Sequence, residues 1–170
     1  METELRDLLA KQAITEVLYR YCRGLDRMDR ALADQVWHPG GTADYGSMFQ
    51  GTGAGFLDWV WETHGDFIAH SHQIANILIT VDPGGAGARS ESYLTVTLRP
   101  RPTDGQVHDL VARARYLDRW SWRDGRWGID HRHLVDDLQS VYSVPLSPAT
   151  DGSVTTGRRD RSDASYDLWP

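Results

Sequence analysis

The spacing of apolar residues changes character near residue 70. Ahead of it, Ile14, Val17, Leu18, Tyr21, Cys22 and Leu25 recur at helical intervals. This predicts a helix over residues 3–25, with Thr3 as its cap and Glu4 and Asp7 suited to its first turn. A second helix is expected over residues 29–37, carrying Leu32, Val36 and Trp37, followed by a loop at His38-Pro39-Gly40-Gly41 and a short strand at Thr42–Tyr45. Phe56, Leu57, Trp59 and Val60 mark a third helix ending near Gly65. From His70 the period becomes two. The run through Ile77-Leu78-Ile79-Thr80-Val81 reads as a buried strand, placing His70, His72, Ile74, Asn76 and Leu78 on one face. Strands are also expected over residues 90–99, with Leu94, Val96 and Leu98 on one face, and over 107–122, with Ala112, Ala114, Tyr116 and Trp120 together. Asp124-Gly125, set between Trp122 and Trp127, signals a hairpin into a last strand over residues 127–135.

Helices grouped ahead of a strand meander indicate an α+β fold. The expected architecture is a cone-shaped, curved antiparallel sheet wrapped around the N-terminal helices, with a pocket inside. From Leu146 onward the chain turns to Ser, Thr, Gly, Asp and Arg. The expected organisation is therefore one domain over residues 1–145 and a polar, flexible tail over 146–170.

Composition narrows the class. A chain of 170 residues with 40% hydrophobic and 25% charged residues suits a single globular domain with a sizeable core. A net charge of −6 argues against nucleic acid as a partner. Seven Trp and seven Tyr supply aromatics for a core or a pocket wall. The single cysteine, Cys22, excludes an intrachain disulfide and suits a reducing compartment. The acidic start, Met1-Glu2-Thr3-Glu4, leads into no long apolar run, so neither a signal peptide nor a membrane span is expected and a cytoplasmic location is.

Polar residues on apolar faces carry the chemistry. Asp26 continues the stripe of the first helix, four residues beyond Cys22 and eight beyond Leu18. His70, His72 and Asn76 stand on the buried face of the strand. An unpaired buried polar group costs about 1–3 kcal/mol, so a pairing of Asp26 with His72 is expected. The blander alternatives are a set of satisfied core histidines and an Asp26 that caps the next helix. A metal is the competing chemistry, because His70/His72 and His131/His133 form two H-x-H pairs that could converge. No Cys or carboxylate spacing reinforces them, and no metal is expected. No Gly-rich segment joins a strand to a helix, so no nucleotide site is indicated.

Several segments together resemble the SnoaL-like branch of the nuclear transport factor two superfamily, over residues 5 to 140. They are Ala13-Ile14-Thr15-Glu16-Val17-Leu18-Tyr19-Arg20-Tyr21, Gly24-Leu25-Asp26, His72-Gln73-Ile74-Ala75-Asn76 and Asp124-Gly125-Arg126-Trp127-Gly128-Ile129. That group includes polyketide cyclases, dehydratases and a dehydrochlorinase. The resemblance implies a cystatin-like α+β barrel, a cofactor-free pocket for a small hydrophobic substrate, and a homo-oligomer, trimer or dimer. In the dehydratase and dehydrochlorinase members an Asp after the first helix pairs with a His opening the first long strand, and Asp26 and His72 match those positions. Tyr21 falls where those enzymes keep a polar active-site residue, Tyr45 at an aromatic wall, and Arg132 at an arginine used by some members. The expected catalytic set is Asp26, His72, Tyr21 and Arg132; Tyr45, His70, Tyr116 and Trp120 are expected to face substrate. The implied activity is a dehydratase-type lyase acting on a steroid-, polyketide- or aromatic-like hydroxy-carbonyl compound. The alternatives are an isomerase or aldol-type cyclase on the same dyad, or a non-catalytic binding module. Self-association is expected through an outer sheet face carrying Leu94, Val96 and Leu98.

Overall fold

A computed structural model describes residues 1–103, 105–145 and 153–168. Helix α1 spans Glu2–Asp26, α2 spans Arg30–Asp34 and α3 spans Gly53–Thr63. The strands are β1 (Trp37–Asp44), β2 (Gln50–Thr52), β3 (Ala69–Val81), β4 (Gly87–Arg99), β5 (Gln106–Arg123) and β6 (Arg126–Pro145). They form one six-stranded sheet in the order β2-β1-β6-β5-β4-β3. The fold is α+β, as the element order requires. The sheet is mixed rather than purely antiparallel, since β1 runs parallel to β6. It is also open: β2 and β3 are its edges.

The helices pack on one face of this sheet. Ile14, Leu18, Tyr21 and Leu25, the stripe read from the sequence, are all buried. α1 packs against β3 and β6, and α3 against β1. Asp29, not Asp26, caps α2, accepting the Leu32 amide at 3.1 Å. Asp26 is thereby left free for another partner.

Two departures from the expected elements have local causes. The expected loop at His38–Gly41 belongs to β1, where Gly40, at φ 79, takes up a register shift against β6. Gly41 lets the Ile129 carbonyl approach, since a Cβ there would stand 2.6 Å from that oxygen. In β3, Asn76 adopts φ 47 and the register against β4 shifts between Ala75 and Leu78. This bulge moves the inward set by one residue. Ile79 is consequently buried and Leu78 is 70% exposed, whereas unbroken alternation puts Leu78 inside. Asn76 itself is an exposed bulge residue and not a core partner.

The face of β4 is corrected too. Leu94, Val96 and Leu98 line an interior cavity and do not form an outer patch. On the other side, Arg115 pairs with Asp137 at 2.8 Å and approaches Glu91 at 3.7 Å. The three leucine and valine side chains therefore cannot be the self-association surface expected of them.

Of the stretch expected to be a loose tail, residues 146–152 lie outside the described residues. Ser153 to Leu168 lie against the helical side. Tyr166 donates to Asp29 at 2.7 Å, Asp163 pairs with Arg27 at 3.2 Å, and Ala164–Asp167 form a short 3-10 turn.

Gly53, at the start of α3, sits against Trp37, and a Cβ there would overlap the indole ring. Gly53→Ala should destabilise the protein by about 1–3 kcal/mol through this overpacking. A denaturant midpoint unchanged from wild type would contradict the tight seating of α3 on β1.

Candidate active site

A cavity of about 380 Å³ lies between the helices and the sheet. Its β4 and β5 wall is largely apolar, built from alternate residues such as Leu94, Val96, Ala112 and Ala114, and β6 adds Asp136, Gln139 and Ser140. Its helix wall holds Tyr21 and Leu25 from α1 and Phe56, Trp59 and Val60 from α3. Polar side chains converge where α1 ends and β3 begins.

His72 lines this cavity, and its side chain is 5% exposed. Its Nδ1 lies 2.6 Å from Asp26 Oδ1. The same carboxylate accepts the His72 backbone amide, at 3.1 Å on one oxygen and 3.0 Å on the other. Asp26 does not line the main cavity; it stands behind the imidazole. A carboxylate on Nδ1 selects the tautomer with the proton on that nitrogen and leaves Nε2 as the basic atom.

Tyr21, Tyr45 and Tyr116 also line the cavity. The Tyr21 and Tyr45 hydroxyls are 3.2 Å apart. Burial is the main cause raising all three phenols above their ordinary range; for Tyr45 the neighbouring Arg132 opposes it. The phenols therefore stay protonated at neutral pH and serve as hydrogen-bond donors. Burial, reinforced by Asp26, pushes the Cys22 thiol up to about 12 and leaves it unreactive.

Arg132 is placed differently from the expectation. It is fully buried and outside the cavity lining, and it forks onto Asp118 with Nε at 2.7 Å and Nη2 at 2.8 Å. Its guanidinium carbon lies 3.7 Å from the Tyr116 ring centroid and 4.5 Å from that of Tyr21. It reaches the cavity through the Tyr116 and Tyr21 rings and through its neighbour Tyr45. His70 and Trp120, also expected to face substrate, lie outside the lining. His70 is buried, with Nδ1 3.2 Å from the Leu25 carbonyl. Trp120 donates its indole N–H to Ser90 Oγ at 2.8 Å. The second H-x-H pair is used against β1: His131 Nδ1 meets Thr42 Oγ1 at 2.8 Å and His133 meets Asp44 at 3.2 Å. Among the described residues no group of three or more His, Cys, Asp or Glu is arranged to hold a metal ion.

Two participants escaped the sequence reading. Asp118 shares a strand face with Tyr116 and Trp120 and sits opposite Arg132 in the β5–β6 register, so the signal was a charged residue inside an aromatic alternation. His64 lines the cavity four residues beyond Val60 and eight beyond Phe56, a continuation of the inner face of α3.

Comparison with known proteins places the chain in a family and bears on its fold. The SnoaL-like domain family matches residues 6–133. The chain belongs to that family. It falls within the nuclear transport factor two-like superfamily. A candidate scytalone dehydratase from Novosphingobium aromaticivorans DSM 12444 is 22% identical, with a TM-score of 0.71, over 85% of this chain and 98% of that one. A hexachlorocyclohexane dehydrochlorinase of type three from Novosphingobium barchaimii LL02 is 14% identical, with a TM-score of 0.74, over 85% and 99%. A protein of unknown function from Mycobacterium tuberculosis is 21% identical, with a TM-score of 0.64, over 95% and 85%. At these identities the likeness is one of fold. No curated protein sequence matches the chain.

The site generates two predictions about stability. Removing one partner of a fully buried ion pair strands the other charge. Asp118→Ala should therefore cost about 3–5 kcal/mol, read as a fall in denaturant midpoint, and a near-neutral effect would contradict the pairing. The second concerns pH. Burial lowers His64 and His70 from 6.5 to about 4, with His70 as the next cause for His64 and Arg159 the next for His70. The unfolded chain protonates these rings below about 6.5, the folded chain only near 4. Unfolding takes up protons in that window, so stability is full above it and declines as pH falls through it. The denaturation midpoint should be lower at pH 5 than at pH 7, and His64→Phe should shrink the difference. Equal wild-type midpoints at the two pH values would exclude buried neutral imidazoles.

Proposed function

We propose that the protein is a cofactor-independent lyase of the dehydratase type, acting on a small, hydrophobic hydroxy-carbonyl compound. The observation that carries this reading is the His72 imidazole, which faces an apolar cavity with Nδ1 on Asp26 at 2.6 Å. A binding module has no need of a carboxylate behind a cavity histidine. The dehydratase and dehydrochlorinase named above support the reading by their fold, and they share its reaction type, elimination.

In this mechanism His72 Nε2 removes a proton from a carbon next to the substrate carbonyl. The C–H electron pair becomes a carbon–carbon double bond as the β C–O bond breaks. The imidazolium, stabilised by Asp26, returns the proton to the departing oxygen, which leaves as water. Tyr21, fully buried, donates to Tyr45, and the Tyr45 hydroxyl donates to the carbonyl oxygen as charge develops there. Arg132, behind those rings, biases the tyrosines without touching substrate. A dry space of about 150 Å³ holds one benzene ring. The cavity volume of about 380 Å³ therefore favours an aromatic or polyketide-like compound of about two rings over a four-ringed skeleton.

Turnover by His72→Ala should be nearly abolished while binding persists. Asp26→Asn should lose roughly 10²-fold or more in kcat, because an amide cannot stabilise the imidazolium. Tyr45→Phe should lower kcat by a smaller factor. Product mass decides the reaction type: loss of one water fits elimination, whereas an unchanged mass fits an isomerase or cyclase. A His72→Ala enzyme working at the wild-type rate would sink the proposal.

A further inference from the structure

His64 is the one cavity-lining residue, among those described, that carries a buried side-chain polar atom with no hydrogen-bond partner. That atom is Nδ1. Elsewhere on the wall, His72 Nδ1 has Asp26 and the Tyr21 hydroxyl has Tyr45. Nδ1 is sealed and costs about 1–3 kcal/mol as it stands, whereas Nε2, also without a hydrogen-bond partner, is not sealed and is the ring nitrogen a ligand can reach.

The ring is held in place and not merely left over. It packs edge-on against Phe67 at 5.2 Å, His70 at 5.0 Å and Trp59 at 5.9 Å between centroids. The backbone beneath it is clamped from far along the chain. Arg159 donates through Nη2 to the His64 carbonyl at 2.9 Å and through Nη1 to the Phe67 carbonyl, and Nη2 lies 3.3 Å from His70 Nε2. The segment after residue 152 thus fixes the loop that presents His64. His70, itself 6.2 Å from His72 between ring centroids, places the two cavity imidazoles along one wall.

We propose that His64 is a further substrate-binding residue, taking a hydroxyl group of the substrate on the cavity wall it shares with His72, and that Arg159 is its positioning residue. The proposal rests on the cavity being the binding site, and not on His72 acting as a base. The choice of a hydroxyl follows from charge and tautomer. No lysine or arginine lines the cavity among the described residues, and Asp136 stands at its rim. An anionic group would meet no counter-charge and one repelling carboxylate. The imidazole is kept neutral by burial, next to His70 and His72, so it offers one donor and one acceptor. A hydroxyl both donates and accepts and satisfies whichever tautomer presents itself.

The test uses naphthalene and 2-naphthol as matched probes, with affinities read by tryptophan fluorescence quenching. Wild type should prefer 2-naphthol. His64→Phe should weaken 2-naphthol by roughly three- to tenfold, the value of one hydrogen bond, with naphthalene affinity kept as the control for fold. Arg159→Ala should weaken it by a smaller factor. In the wild type, the His64 imidazole nitrogen resonances should move on adding 2-naphthol and stay in place with naphthalene. Undiminished 2-naphthol affinity in His64→Phe overturns the proposal while leaving the proposed chemistry at His72 intact. Full affinity in Arg159→Ala removes its positioning role alone. Binding of neither probe by wild type would overturn the cavity as a binding site, and the His64 contact with it.

Discussion

The Asp26 carboxylate joins the end of α1 to the beginning of β3, and the site depends on that junction. One carboxylate accepts both the backbone amide and Nδ1 of His72. A side chain can drift between rotamers, but an acceptor that also holds the backbone of its partner fixes the ring and the strand together. The helix end sets the height of His72, and the stripe of buried residues on α1 sets the helix end. Asp29 makes this possible by capping α2, so Asp26 need not spend its lone pairs on helix amides. Small changes in where α1 stops would move the base relative to the cavity.

The two acid–cation arrangements near the cavity do different jobs, and burial separates them. Arg132 and Asp118 are both fully buried, and Arg132 forks onto Asp118 through Nε and Nη2. Such a pair supplies a fixed guanidinium charge behind the aromatic wall. Asp26 and His72 are 16% and 5% exposed at their side chains, and the imidazole faces the cavity. Only this second pair combines an imidazole at the cavity wall with a carboxylate that orients it. The arginine expected among the catalytic groups is thus displaced one layer back, with tyrosine rings between it and the cavity.

Much of this was legible in the chain because buried polar residues are rare enough to stand out. Asp26 broke an apolar helical stripe, and His72 broke an apolar strand face; each needed a partner, and each was the other's. The Asp124-Gly125 turn was equally plain, with positive φ at both residues. The failures have separate causes. Alternation fixes which residues lie together but not which side they face. Leu94, Val96 and Leu98 were correctly grouped and assigned to the wrong side. The bulge at Asn76 was invisible because nothing in a branched run announces a change of phase. His70 and Trp120 looked like site residues by type, yet backbone and side-chain partners elsewhere claimed their polar atoms. The contacts of residues 153–168 depend on Arg, Asp and Tyr side chains in a segment whose composition suggests no fixed structure.

The distribution of polar groups around the cavity also constrains how a substrate would lie. Tyr21 comes from α1, Tyr45 follows β1, His64 follows α3 and His72 opens β3. The β4 and central β5 walls present Leu94, Val96, Leu98, Ala112 and Ala114. A hydroxy-carbonyl compound would direct its oxygens toward the helix ends and its hydrocarbon face toward β4 and β5. On the proposed reading the carbonyl oxygen would meet the paired tyrosines and a hydroxyl would meet His64, leaving a carbon of the substrate for His72. An elimination needs this separation, because the base must take a proton from carbon while donors hold oxygen. A cavity with polar groups scattered evenly would bind the same compound in several poses and catalyse in few of them.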